Sequence, residues 1–207
     1  MTGRYGSVGV HVTGPPSPDA AAIGESLQHP EAFAHLYDRY AADVHRYVTR
    51  RLGAQAADDV TSETFLVAFR TRDRFDSTAV SARPWFYGIT AKLISRQRRS
   101  EVRMLRAYAR TGFDPVAESW ADHADSRVVA QGMQRELSGA LARLSTGDRH
   151  VLLLVAWAEF SYQEVADALG IPLGTVRSRL NRARRKIRTA LGADPALAVD
   201  ASEVAGE

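Results

Sequence analysis

The 207-residue sequence contains no cysteine, which excludes a disulfide framework and any thiolate metal site. Its six histidines (His11, His29, His35, His45, His123 and His150) are scattered without ligand spacing on a common face, so no metal site is expected. No apolar run approaches the roughly 20 residues of a membrane-spanning helix, and the N-terminus lacks the apolar core of a signal segment. A cytoplasmic protein without membrane insertion is expected. Strand-like alternation and internal repeats are missing too. A DNA-acting enzyme would need a nucleophile with a metal or acid–base cluster, and none stands out. No catalysis, cofactor or small-molecule substrate is therefore expected. Acidic charge is absent from one stretch in particular: between Leu173 and Leu191 there are seven Lys or Arg and no Asp or Glu. The whole chain carries a formal net charge of only +3. Its basicity is local, which suits a nucleic-acid binder with other surfaces besides.

That acid-free stretch belongs to SYQEVADALGIPLGTVRSRLNRARRKIR, Ser161 to Arg188. Ser161 and Glu164 form a capping box that starts a first helix. Gly170-Ile171-Pro172 ends it, since Gly170 can adopt the left-handed conformation and Pro172 cannot continue the hydrogen-bond ladder. In the second helix Val176, Leu180, Ala183 and Ile187 form one apolar stripe. Gly174, Ser178, Asn181, Arg182 and Arg185 lie opposite, flanked by Arg177, Arg179, Arg184 and Arg188. A short helix, a glycine turn and a basic second helix make a helix-turn-helix pattern, whose second helix enters the DNA major groove.

Residues 1–28 are rich in Gly, Pro, Ser and Ala and are expected to form a disordered leader. From Pro30 to Leu52, Phe33, Leu36, Tyr37, Tyr40, Val44, Tyr47, Val48 and Leu52 recur at helical steps, with the tyrosines placed in the core. A second helix begins at Ala57. Phe65, Leu66 and Phe69 supply its buried side, and Asp58, Ser62 and Glu63 its outer, acidic one. The turn-prone segment Thr71–Pro84 leads into a third helix, expected to run from Pro84 to Arg110. Its second half carries seven Lys or Arg against the single Glu101, and the aromatic cluster Trp85-Phe86-Tyr87 precedes it. Residues 112–126 carry Asp114, Glu118, Asp122 and Asp125 and no Lys or Arg, as an acidic linker would. Apolar residues return with Met133, Leu137, Leu141 and Leu144. Val151–Ala158 reads as a buried helix.

These elements, in this order, resemble bacterial RNA polymerase sigma factors of the extracytoplasmic-function type. The resemblance rests on DDVTSETFLVAF at Asp58–Phe69, WFYGI at Trp85–Ile89 with the basic helix after it, and above all GTVRSRL at Gly174–Leu180. It implies binding to core RNA polymerase through Asp58, Asp59, Glu63 and Phe65. It implies recognition and opening of the start-proximal promoter element by Arg74, Phe75, Asp76 and Ser77 in the loop, with Lys92, Arg96 and Arg99 on the helix. An unpaired base can be flipped into a pocket and the single strand held by aromatics and cations. For the upstream element it implies base-edge contacts from Arg177, Ser178, Asn181 and Arg182 and phosphate contacts from Arg179 and Arg185. Many members carry Asn where Lys92 stands here. Many relatives are also held inactive by an anti-sigma factor.

The expected fold is all-α, with two small helical domains joined by a flexible acidic linker, the second ending in the helix-turn-helix. Residues 29–110 form the first domain, 111–128 the linker, 129–191 the second domain and 192–207 a disordered tail. The expected function is that of a promoter-specificity subunit, with core RNA polymerase and promoter DNA as partners. The alternative is a stand-alone helix-turn-helix regulator that binds DNA as a dimer.

Overall fold

The structure, a computed structural model, describes residues 16–111 and 124–192. Among these residues there are nine α-helices and no strand. In chain order they are α1 (Pro18–Ser26), α2 (Ala34–Leu52, entered through a single 3-10 turn at Pro30–Phe33), α3 (Ala54–Arg70), α4 (Arg83–Arg96), α5 (Arg98–Thr111), α6 (Ala124–Arg143), α7 (Thr146–Trp157), α8 (Tyr162–Leu169) and α9 (Leu173–Ala190). Most of the expected linker, and residues 1–15 and 193–207, lie outside the described residues.

Four expectations are corrected. Residues 17–28 are not a disordered leader. Ser17 caps α1 by accepting the Ala20 N–H at 3.2 Å, and Pro18 sits in the first turn, where its missing N–H costs nothing. Ala20 and Ile23 are buried. Two apolar contacts in nine residues make too weak a periodic signal to read. The third helix is two helices, because the chain turns at Gln97 (φ −93°, ψ 21°). After that turn α5 presents Glu101 and Leu105 inward. The backbone of α6 is helical from Ala124, inside the expected linker. Leu66 and Tyr37 are 47% and 49% exposed rather than core; Leu66 shares the outer face of α3 with Ser62 and Glu63.

Phe86 is the centre of the first half. It is fully buried, with Tyr40, Phe65 and Trp85 rings 4.8–5.3 Å away and Phe33 at 6.3 Å. Edge and tilted ring contacts at these distances add to simple area burial. Trp85 is only partly buried and packs at a tilt against Phe75, 5.1 Å away, in the loop before α4. In the second half Val151, Leu153 and Leu154 of α7 pack with Val165 of α8 and with Val176, Leu180 and Ala183 of α9. The stripe expected on α9 is the face it buries.

The two halves share one core, and among the contacts that join them three stand out. Gly88 of α4 meets the backbone of α8 so closely that a Cβ there would lie 2.3 Å from the Ala168 carbonyl oxygen. Arg83, at the start of α4, donates to the Ala158 carbonyl and lies 4.5 Å from the Phe160 ring. The third contact is a buried ionic cluster. Glu101 of α5 accepts from Arg51 of α2 (Nε, 2.6 Å) and from Arg149 of α7 (Nη1, 2.7 Å). Arg149 also donates to the Leu141, Ala142 and Leu144 carbonyls, capping the C-terminal end of α6. Arg51 donates to the Tyr47 hydroxyl and to His150 Nδ1, and His150 Nε2 reaches the Ser95 hydroxyl at 2.9 Å. Burial first, and then the charges of Arg51, Arg149 and Arg179, lower the His150 pKa to about 3. The ring is neutral, with Nδ1 as acceptor and Nε2–H as donor.

Candidate nucleic-acid interface

The helix-turn-helix is built as its sequence dictates. Ser161 Oγ accepts the Glu164 N–H at 3.2 Å and Glu164 Oε2 accepts the Ser161 N–H at 2.8 Å, closing the capping box. Gly170 takes φ 61°, ψ 42°, and the Ile171 N–H returns to the Ala166 carbonyl at 3.1 Å. Pro172 then precedes the first turn of α9.

On α9, Arg177, Ser178, Asn181 and Arg185 are exposed. Among the described residues, Arg177, Asn181 and Arg185 make no side-chain hydrogen bond or ion pair. Ser178 Oγ donates to the Thr175 carbonyl in its own helix. Two of the arginines named from sequence are held against α7 instead, Arg182 while still exposed and Arg179 half-buried. Arg182 donates to the buried Asp148 of α7 at 3.1 Å, with Lys186 3.8 Å from the same carboxylate. Arg179 is half-buried across Gly147, where an added Cβ would meet its Nη1 at 2.9 Å. The structure thus brings Arg177, Ser178, Asn181 and Arg185 together outward and fixes α9 to α7 through Arg182.

The first half carries a second basic surface. Arg96, Arg98, Arg99, Arg103, Arg106 and Arg110 line one open groove along the end of α4 and the length of α5. Of these six, the family resemblance points only to Arg96 and Arg99. The wider set was visible in the run from Lys92 to Arg110, but the turn at Gln97 decides which of its members share a face. Lys92 and Arg96 also border a cleft with Arg74, Trp85 and Ile89 on one side and, on the other, Asp167, Ala168 and Leu169 of α8 with its cap residue Gly170. In the loop, Arg74, Asp76 and Ser77 are exposed and Phe75 is half-buried against Trp85. Asp76 accepts the Thr78 N–H at 2.9 Å and its hydroxyl at 2.7 Å, and these hydrogen bonds hold its carboxyl below the usual range.

On α3 the outer face carries Asp58, Asp59, Glu63 and Leu66, all exposed. Asp58 pairs with His45 at 2.9 Å, and Glu63 with Arg96 at 3.7 Å. Phe65 is only 5% exposed, packed against Tyr37 and Phe86. Leu66 is the apolar side chain on the surface beside it, a residue that sequence periodicity had assigned to the interior. Phe86 and Tyr87 of the aromatic cluster are likewise core residues. Burial raises the Tyr87 hydroxyl to about 12.

Two all-helical halves, each with its own basic surface and the second closing on a helix-turn-helix, define a two-part helical protein built to meet DNA. Comparison with known proteins narrows this. A model of sigma-70 region 2 matches residues 36–111 and a model of sigma-70 region 4 matches residues 134–187. The sequence is 34% identical over 157 residues to the ECF RNA polymerase sigma factor SigL of Mycobacterium tuberculosis, covering 75% of this chain and 86% of that protein. It is 35% identical over 144 residues to SigC of the same species, covering 69% and 74%. Among solved structures, CnrH bound to the cytosolic domain of CnrY is similar in fold (TM-score 0.58, 24% identity, 85% of this chain and 98% of that one). So is the sigma factor RpoE bound to the anti-sigma factor NepR from Bartonella quintana (TM-score 0.56, 20% identity, 79% and 99%). The chain belongs to the extracytoplasmic-function (ECF) sigma factors.

Proposed function

We propose that this chain is a promoter-specificity subunit that binds core RNA polymerase, recognises two promoter elements and helps open the DNA between them. The observation that carries this reading is the pair of separate basic surfaces, the arginine groove of α4–α5 and the outward face of α9. A stand-alone dimeric regulator needs only the second. In this reading Arg177, Ser178, Asn181 and Arg185 meet the upstream element, with bidentate arginine contacts to guanine supplying discrimination. Arg182 and Arg179 set the position of the recognition helix. Arg74, Phe75, Asp76 and Ser77, with Lys92, Arg96 and Arg99, meet the start-proximal element, and the remaining groove arginines hold phosphates. Asp58, Asp59, Glu63 and Leu66 form the surface offered to core polymerase, and Phe65 supports it from beneath.

The protein acts in the cytoplasm as a subunit, with no catalysis or cofactor of its own. Among the described residues no helix is long and apolar enough to cross a membrane. An anti-sigma factor is a further partner, by analogy with RpoE, whose structure was solved in complex with one. Such a partner has a simple mode of action here. The end of α8 borders the cleft with Lys92 and Arg96, so a duplex lying along α4 requires α8 to move aside. A protein that holds the halves together therefore keeps a duplex from the Lys92–Arg96 surface, while the outward face of α9 stays open.

The test is in vitro transcription from genomic fragments of the source organism with purified core polymerase. Specific transcripts are expected, with promoter binding that falls steeply with salt as several phosphates are neutralised. Asp59→Ala and Leu66→Ala are expected to lower core affinity without altering α9 contacts. Failure of the folded chain to bind core, or a stable homodimer on a palindromic site, defeats the reading.

A further inference from the structure

The loop between α3 and α4 contains a single 3-10 turn, Arg72–Arg74, and no strand. Helix α1 holds it at both ends. At the entrance, the Ser26 carbonyl accepts from Arg72 Nε at 3.3 Å, while the Arg72 guanidinium lies 3.8 Å from the centre of the Phe69 ring. At the exit, Ser17 Oγ donates to the Ala79 carbonyl at 2.9 Å. Asp19 completes the exit clamp. It is 3% exposed, and its Oδ2 accepts from the Ala82 N–H at 2.8 Å, the Tyr40 hydroxyl at 2.5 Å and the Ser81 hydroxyl at 3.3 Å. Arg39 pairs with its other oxygen. Ala82 is the N-cap residue of α4 and contributes no side-chain cap of its own. The carboxylate therefore fixes the point where loop becomes helix.

Two of the four buried residues of α1, Asp19 and Ser26, are polar. A helix that served only apolar burial would have no need of a buried carboxylate. The Ser26 hydroxyl is used within α1, donating to the Ile23 carbonyl at 2.7 Å, whereas the Asp19 carboxylate is directed at the loop exit, and it is Asp19 that the clamp requires. Between the clamps Asp73, Arg74, Asp76, Ser77 and Thr78 are left exposed.

We infer that α1 braces the DNA-contacting loop and that Asp19 is a positioning residue for promoter opening, an inference that rests on the loop's role in the proposed function. A loop that must insert beside an opening base pair works only if its geometry is set before DNA arrives, because ordering it during opening adds to the barrier. Asp19→Ala leaves the Ala82 N–H and the Tyr40 hydroxyl without their acceptor. Asp19→Asn keeps one acceptor oxygen for both.

The experiment compares reconstituted holoenzymes on a duplex promoter and on the same promoter with a pre-opened bubble. Asp19→Ala is expected to slow open-complex formation on the duplex roughly tenfold or more, the size of effect that loss of hydrogen bonds to a charged group brings. Core affinity and transcription from the bubble should stay within about twofold. Asp19→Asn should recover most of the rate. Ile23→Ala serves as control, since it loosens α1 without touching either clamp. The inference is overturned if Asp19→Ala opens the duplex at the wild-type rate, loses equally on both templates, or is matched by an Ile23→Ala variant of equal thermal stability. Inability of the wild-type chain to bind core would defeat the underlying reading of function instead, and with it this role.

Discussion

Exchange of Glu101 for Gln removes one charge from the centre of the junction between the halves. Arg51 and Arg149, each 1% exposed, then share a neutral amide. That amide has one acceptor oxygen where the carboxylate had two, and its NH2 group points a donor at a donor. Breaking a buried ion pair from one side costs about 3–5 kcal/mol, because the remaining charge stays desolvated. Both arginines keep other partners: Arg149 has three carbonyls, and Arg51 has Tyr47 and His150. The lower end, about 3 kcal/mol, is therefore expected. At ~2–4 °C per kcal/mol for a chain of this size, the transition falls by ~6–12 °C. Scanning calorimetry measures this directly. A double-mutant cycle with Arg149→Met must show coupling above about 0.5 kcal/mol, since the two residues lie in one network. A fall below about 2 °C, together with additive mutants, would refute the argument that the halves meet through Glu101.

Gly88→Ala should be destabilising by about 1–3 kcal/mol, although in an ordinary helix interior the same change stabilises by roughly 0.5–1 kcal/mol; thermal unfolding gives the sign, and a stabilised variant would mean α4 and α8 are not in contact. His150 imposes a pH dependence. Its folded pKa of about 3 lies below the unfolded value of about 6.5, so its contribution is complete above pH ~6.5 and falls as the unfolded state takes up a proton, by about 1.4 kcal/mol per unit down to pH ~3. Urea unfolding at pH 7 and 5.5 should show a steeper loss for wild type than for His150→Gln, and parallel slopes would sink the assignment. Arg177→Ala should cost about 1–3 kcal/mol at one position of the upstream element, whereas Arg182→Ala should weaken binding evenly across sequences and lower stability; footprinting on a set of single-base variants separates the two patterns.

What could be read from sequence follows from the range of the interactions involved. The capping box of α8, the left-handed Gly170 and the buried stripe of α9 depend on residues within about four places of one another, so local pattern is enough. Buried charge is not local. Arg51 and Glu101 are 50 residues apart and Arg51 and His150 are 99 apart. Arg51 and His150 adjoin apolar stretches and Glu101 lies in a basic one, and nothing in a helical period distinguishes an arginine facing water from one facing a carboxylate. Asp19 was hidden for the same reason, inside a Gly- and Pro-rich leader whose helix is too short to show a period.

Glu101 nevertheless had one visible peculiarity: it is the lone acid in a run of seven basic residues. On a helix surface that isolation reads as a small dilution of charge. The structure gives it a different meaning, because α5 uses its two sides for opposite tasks. Arg98, Arg99, Arg103, Arg106 and Arg110 open onto the groove, while Glu101 faces Arg51 and Arg149 inside. The acid attaches a strongly cationic helix to a protein interior that already holds two more arginines, which no neutral side chain at that position can do. Loosening this attachment moves the groove as well. A Glu101 variant that destabilises the junction should therefore also weaken phosphate binding along α5, although it touches no DNA. A variant that lowers stability yet leaves the salt dependence of DNA binding unchanged would show that the two sides of α5 are independent.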